Sequence, residues 1–506
     1  MALATISRPT EVPLPSVRVD APRRWPFVLV AAVLLGQMAI AMITTAVQQT
    51  PTIDEPVYIG AAVVQAEQHS LRYNPEHPPL GKLIMATGLA FTDVTLDPGF
   101  QGDQTELGRH LLYESGHDPG TLLLAARLPM IVLTLLFGVV VLLFATDISH
   151  SRAGGVLALA LYAFSPDVIA HGSLATLDVP AAGFVLTTAW LLWRARTAPA
   201  LNLPLAGLAL GAALATKMNT LAAVPVFLVL VLIQARWRAA VGVLLAAITV
   251  VWLSYVAVDP AASFPQAYVD GFRAQMEFEH RVWGGYLFGT HYEGSHWYYL
   301  PAALVIKTPL GALLLWAAGT AALIRRPAAQ YVLAPAAVLL AVAMTGSRDL
   351  GVRYAIFVPM FLAVAAAVVA HRRYAKIAVV MVAASSLWTF PYYLPYSNEL
   401  FGGPSKTHLH LHDSNVDWGQ DLGRLAERLQ RYPDEHKWLV YKGAGVPEHY
   451  GIRAADPRGV AADQVHGLLV VSNTAIAKAD AFLSELIDTS VPIDVVGHSI
   501  TIFRRP

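Results

Sequence analysis

The stretch PFVLVAAVLLGQMAIAMITTA at residues 26–46, followed by PTIDEP at 51–56, sets the terms for the whole chain. The first part carries no charge and is long enough to cross a bilayer, since a spanning helix needs roughly 20 mostly apolar residues. The second part places two carboxylates, Asp54 and Glu55, where that helix leaves the hydrocarbon. Upstream, residues 1–24 are rich in Pro, Ser and Arg and read as a disordered cytoplasmic tail. The run after Trp25 is too long for a signal-peptide core, and no small-residue cleavage site follows it.

Further apolar runs recur at 123–145, 154–171, 177–193, 204–216, 220–234, 239–257, 299–324, 331–345, 354–370 and 376–394. Together they predict an all-α polytopic membrane protein with about 11 transmembrane helices. Composition agrees. Hydrophobic residues make up 55% of the chain and charged residues 14%, against about 25% charged in a soluble protein. Mean hydropathy is +0.50. Formal net charge is zero, so nothing draws the chain to nucleic acid. Cysteine is absent, which removes disulfides, thiolate nucleophiles and cysteine metal sites.

Lys and Arg in short loops orient the spans. With the N-terminus cytoplasmic, the inner connections carry Arg23 and Arg24, Arg152, Arg194 and Arg196, Arg236 and Arg238, Arg325 and Arg326, and Arg372, Arg373 and Lys376. These connections are almost free of carboxylates. The opposite set holds most of the Asp, Glu and His. Three longer segments then face outward from the plasma membrane: loops 47–122 and 258–298, and a tail at 396–506. A transmembrane catalytic domain would occupy 25–395. The tail, with strand-like runs at 438–441 and 467–472, reads as a small extracytoplasmic α/β domain.

The residues that carry chemistry gather on the outer side. Asp54 and Glu55 suit a general base, because a carboxylate at the bilayer edge is partly desolvated and usefully basic. Solvated loop charges are the bland alternative. The segment Asn74-Pro75-Glu76-His77-Pro78-Pro79-Leu80-Gly81-Lys82 holds Glu76 and His77 at a rigid proline turn, with Lys82 in the first turn of a helix. Asp178 starts a span, and Lys217 ends another on the same side. Lys217 is either a snorkelling anchor, a cation for a lipid phosphate, or a partner of Asp178. Ionisable groups at such positions usually face a cavity or a partner, and Lys307, inside a span, also needs one. Arg353 in Gly351-Val352-Arg353-Tyr354 is a candidate phosphate fork. His291 and His296 lie among aromatics in the second loop and, with Glu76, are candidates for substrate or a divalent metal. No zinc-type helix motif requires one, and no Gly-rich phosphate loop marks a nucleotide pocket.

These motifs, in this order, resemble the protein O-mannosyltransferase-like (family-39-like) branch of the glycosyltransferase-C superfamily. The resemblance rests on Asp54-Glu55, on Asn74–Leu80, on His171-Gly172 with Leu177-Asp178, on Trp297-Tyr298-Tyr299 leading to Lys307-Thr308-Pro309, and on Gly351–Tyr354. The tail adds Asn398–Pro404 and Asp413–Leu422. It implies an inverting transfer from a polyprenyl-phosphate sugar donor to an acceptor protein, lipid or envelope glycan on the outer face. Asp54 would be the base, with Glu55 shaping the site. His77, Lys82, Asp178, Lys217 and Arg353 would lie around the donor phosphate. A secondary transporter is the main alternative, but it predicts internal symmetry that the chain lacks. A non-catalytic membrane protein with an outer binding domain is a second.

Overall fold

The computed structural model describes residues 25–506; the expected tail at 1–24 lies outside the described residues. The described chain is mostly helical, and each expected apolar run is largely helix, although the runs at 154–171 and 299–324 are interrupted and the one at 376–394 is helical only as far as Thr389. Three helices are long and apolar enough to cross a membrane: Trp25–Gln48, Pro119–Ser149 and Trp237–Val258. The number rises to five if two bent pairs each count as one span. Several other apolar runs form shorter helices, among them Pro199–Leu214, Ala329–Ala343 and Phe357–Ala366.

Proline explains the bends. The pair Arg152–Ala163 and Pro166–Gly172 bends by 62° at Ser165-Pro166, and Tyr299–Lys307 and Leu310–Leu323 by 119° at Thr308-Pro309. Proline has no N–H and ends the hydrogen-bond ladder. Carbonyls freed at membrane depth must find donors within the protein. Asn398 supplies them: its side chain donates to Val305 O at 2.7 Å and Thr308 O at 3.0 Å, and its N–H donates to Ile306 O at 2.9 Å. Lys307 closes the arrangement. Its ammonium donates to Leu394 O (2.6 Å) and Asn415 O (2.9 Å) and pairs with Asp167 Oδ1 at 3.2 Å. One buried lysine therefore joins both breaks and the start of the tail.

The segment at 47–122 folds into three helices, Glu55–Glu67, Leu80–Leu89 and Gln104–Tyr113. The last opens on a capping box between Asp103 and Glu106, which satisfies two orphan N–H groups reciprocally. Ile59, Val63, Met85, Leu107 and Leu111 pack with Leu122 and Met130 into a second core beside the main one. Gly88 is required there, because a Cβ would sit 1.9 Å from Ala125 O. The segment at 258–298 contributes Gln266–His280 and a hairpin of β1 (Gly284–Leu287) and β2 (Thr290–Glu293).

Beyond residue 421 the chain forms a four-stranded sheet in the order β3-β4-β6-β5, from β3 (Lys437–Val440), β4 (Gly467–Ser472), β5 (Val491–Val496) and β6 (Ile500–Arg505). β3 and β4 are parallel; the other pairs are antiparallel. Alternation assigns the faces. Leu468 and Val470 pack with Leu422, Leu425 and Ile502 on one side; Leu469 and Val471 pack with Trp438, Leu483 and Leu486 on the other.

Replacing Lys307 by Met removes one partner of a buried pair and the donor of two hydrogen bonds to the carbonyls of Leu394 and Asn415. Losing one partner of such a pair costs about 3–5 kcal/mol. The variant should unfold at a markedly lower temperature in detergent than the parent; an unchanged melting temperature would contradict the bracing role.

Candidate active site

The first span ends in a set of buried polar contacts that aims Asp54. Arg127, fully buried on Pro119–Ser149, spends its guanidinium on that end: Nη1 donates to Ala46 O (2.6 Å) and Gln49 O (2.9 Å), and Nη2 to Thr50 O (3.2 Å). Ala46 O is one of the carbonyls that a helix C-terminus leaves without partners, and Gln49 and Thr50 follow the helix end at Gln48. The same guanidinium grips Glu55 in a fork, Nε to Oε1 at 2.7 Å and Nη2 to Oε2 at 2.6 Å. Glu55 also accepts from the Thr52 and Ala175 N–H groups. Burial pushes its carboxyl up, but Arg127 and these donors hold it below its usual range. The structure thus places Glu55 in the scaffold, with no exposed edge, and leaves its neighbour Asp54 as the accessible acid, 25% exposed.

Asp54 Oδ2 accepts from Arg353 Nη1 at 2.5 Å. That nitrogen is also 3.9 Å from Asp178 Oδ2, and Asp178 Oδ1 accepts from Lys217 Nζ at 2.6 Å. Two acids and two cations from four distant parts of the chain therefore form one chain of charge: Asp54, Arg353, Asp178, Lys217. Asp178 sits in the first turn of Asp178–Ala195, where an acid complements the helix dipole. Arg353 lies in the short turn Val352–Ala355. Gly351 before it is required by close approach, since a Cβ would fall 1.9 Å from Ser414 Oγ.

A cavity of about 410 Å³ opens beside this chain. Its polar end is formed by His77, Asp178, Lys217, Arg348, Arg353 and Glu279; its walls include Val185, Phe272, Met276, Leu339, Val342 and Phe357. Arg348 pairs with Glu279, which also accepts from the Ser347 N–H at 3.1 Å and hydroxyl at 3.0 Å. Burial pushes Glu279 up, and Arg348 and Ser347 more than reverse this. The Arg348–Glu279 pair was not among the residues read as a site from the sequence. A second arginine five positions before Arg353 in one outer turn was the signal available.

His77 reaches the cavity, but Lys82 does not. The Lys82 ammonium donates to Asn74 O (2.8 Å), Asn74 Oδ1 (3.2 Å) and His77 O (2.7 Å), and so staples the proline turn from inside. Glu76 accepts from Asn74 Nδ2 at 2.8 Å and Gln104 Nε2 at 3.2 Å. His296 stacks between Tyr292 and Tyr298, with Asp349 accepting from its N–H and from the Tyr292 hydroxyl. His291 is exposed on β2. Glu76, His291 and His296 do not converge, and among the described residues no group of three or more His, Asp or Glu is placed to hold a metal ion.

Residues 33–258 match the family model described as dolichyl-phosphate-mannose-protein mannosyltransferase. Among solved structures, the chain is similar to ArnT from Cupriavidus metallidurans bound to undecaprenyl phosphate, at 14% identity over 96% of this chain and 98% of that one, with a TM-score of 0.48. The apo form of the same protein aligns at 16% identity over 95% and 97%, with a TM-score of 0.49. The S. cerevisiae protein O-mannosyltransferase Pmt1-Pmt2 complex bound to the sugar donor aligns at 16% identity over 52% of this chain and 39% of that one, TM-score 0.34. No curated protein sequence matches the chain. The resemblance read from the motifs is thus matched, over residues 33–258, by a mannosyltransferase family model.

His77 is held well below the usual histidine range, first by burial and then by the ammonium groups of Lys217 and Lys82. It should therefore stay neutral over about pH 5.5–8, where an ordinary histidine titrates. Selective labelling of histidine carbons, with the His77 signal assigned by its loss in His77→Gln, should show no titration in that window; a midpoint inside it would contradict this environment.

Proposed function

We propose that the chain transfers a sugar from a polyprenyl-phosphate donor to an acceptor hydroxyl, with inversion, using Asp54 as the general base. The observation that carries this reading is the two-sided cavity. Three cations, Lys217, Arg348 and Arg353, stand at its polar end, and its walls are apolar. A lipid phosphate needs cations for its headgroup and hydrocarbon for its chain. Asp54 stands on the far side of Arg353, which suits an acid working on the acceptor side.

The acceptor oxygen attacks the anomeric carbon, and its proton passes to Asp54. The bond between that carbon and the phosphate oxygen breaks, and its electron pair leaves with polyprenyl phosphate. A single in-line displacement inverts the anomeric centre. Preorganised cations stabilise the charge that grows on the departing phosphate, and Lys217 and Arg353 are held for that task by Asp178. His77, uncharged, serves as a hydrogen-bonding group at the cavity wall rather than as a cation. Glu55 serves by holding the turn that carries Asp54. The acceptor is a protein, a lipid or an envelope glycan.

The topology that fits this reading has about eleven spans, a cytoplasmic N-terminus, the catalytic cleft on the outer face of the plasma membrane, and residues 396–506 as an extracytoplasmic domain. The distribution of Lys and Arg supports it, since the charged chain and the tail share one side.

Replacing Asp54 by Asn removes the proton acceptor and keeps the shape. General-base catalysis contributes about 10²–10⁴-fold. Transfer from a polyprenyl-phosphate sugar should fall by at least about 10²-fold, while the variant still accumulates in the membrane and still binds polyprenyl phosphate. Full turnover by the purified variant would remove Asp54 from the role.

A further inference from the structure

We infer that Trp418 is a positioning residue for Arg353, so that the C-terminal segment is part of the reaction centre; the inference rests on the donor-site reading above. The guanidinium of Arg353 has few hydrogen bonds for a buried group. Nη1 meets Asp54, Nη2 donates to the Tyr354 hydroxyl at a long 3.3 Å, and Nε has no partner. Its orientation must come from its faces. The Trp418 ring centroid lies 4.3 Å from Arg353 Cζ, nearer than Tyr354 at 5.0 Å. An indole face attracts a guanidinium through its quadrupole, most strongly where water is excluded. It does so without adding a third carboxylate to Asp54 and Asp178.

Trp418 is itself held from several directions. It is almost fully buried, and its N–H donates to Gln420 Oε1 at 2.8 Å. Its carbonyl accepts from the Ile53 N–H at 3.0 Å, one residue before Asp54. Thr50 N–H donates to Gln420 O at 3.0 Å and its hydroxyl to Gly419 O at 3.0 Å. The base-bearing turn and the cation's base plate are therefore laced together through residues 50–53 and 418–420. On the other side, the Asp417 carboxylate accepts from the Thr474 N–H just past β4 at 3.1 Å, and the Thr474 hydroxyl donates to Asp417 O at 2.7 Å. The Trp418 ring also meets His171 edge-on at 6.1 Å. The sheet thus reaches Arg353 through Thr474, two residues past β4, then Asp417 and Trp418.

The test is a double-mutant cycle on the full chain in detergent, with binding of radiolabelled polyprenyl phosphate as the readout. Trp418→Leu should weaken binding about tenfold or more, and Trp418→Phe no more than about threefold, since a phenyl face keeps much of the attraction. In an Arg353→Gln background, Trp418→Leu should add less than about twofold. Equal losses from Trp418→Leu in both backgrounds would make Trp418 a packing residue and overturn the inference. If Trp418→Leu does not accumulate, Trp418→Met and Trp418→Phe carry the same cycle with the same criterion. A parent chain that binds no polyprenyl phosphate overturns the donor-site reading, and this inference with it.

Discussion

The bond between Arg353 and Asp54 spans 299 residues of sequence, and the geometry around the cavity depends on it. A buried guanidinium is tolerated only where acids surround it, because an unpaired charge in a low-dielectric site costs several kcal/mol. Arg353 meets this condition by sitting between Asp54 and Asp178, and Asp178 meets it again through Lys217. Each group is placed by a different element: the end of the first span, the turn at Val352–Ala355, the start of Asp178–Ala195, and the link before the helix Ala223–Gln234. The charges therefore act as pins that set how these elements meet.

Two other buried pairs repeat the logic with a structural outcome. Arg127 and Glu55 close the end of the first span and fix the turn that presents Asp54. Lys307 and Asp167 join two proline breaks. In both cases the cation also takes backbone carbonyls that no helix can satisfy. What separates these structural pairs from the charged groups at the cavity is access. Glu55 is sealed, whereas Asp54 keeps an open edge and Arg353 and Lys217 line a cavity. Neighbouring carboxylates in one motif thus carry different tasks.

The tail segment 396–421 has a similar double use. Asn398 repairs a broken helix, Asn415 donates to the Tyr299 hydroxyl, and Trp418 lies against Arg353. Asp417, within the same segment, is fully enclosed, and burial pushes its carboxyl up to about 7 despite donors from Thr474, Ser472 and Gly419. The chain accepts an acid of that kind where it ties the sheet to the membrane-side residues.

Apolar periodicity was enough to show a mostly helical chain with helices long and apolar enough to cross a membrane, because a span must be apolar whatever it packs against. The motif order was enough to indicate the mannosyltransferase family model that residues 33–258 match, and Asp54, Asp178, Lys217 and Arg353, singled out because ionisable groups at span ends need partners, do lie together in the fold. Partner choice was not legible. Asp54 and Glu55 are adjacent and chemically alike, and only the packing of Arg127 sends one inward. Lys82 and Lys217 look equivalent as basic residues beside apolar runs, and only the closure of the Asn74–His77 turn consumes the first. Glu279 and Trp418 join these groups through long-range contacts that carry no local pattern, whereas Arg348 had a local signal in its spacing from Arg353. Hydrophobicity is a property of each residue and is written along the chain; which buried charge meets which is a property of the folded arrangement, and tertiary structure alone decided it.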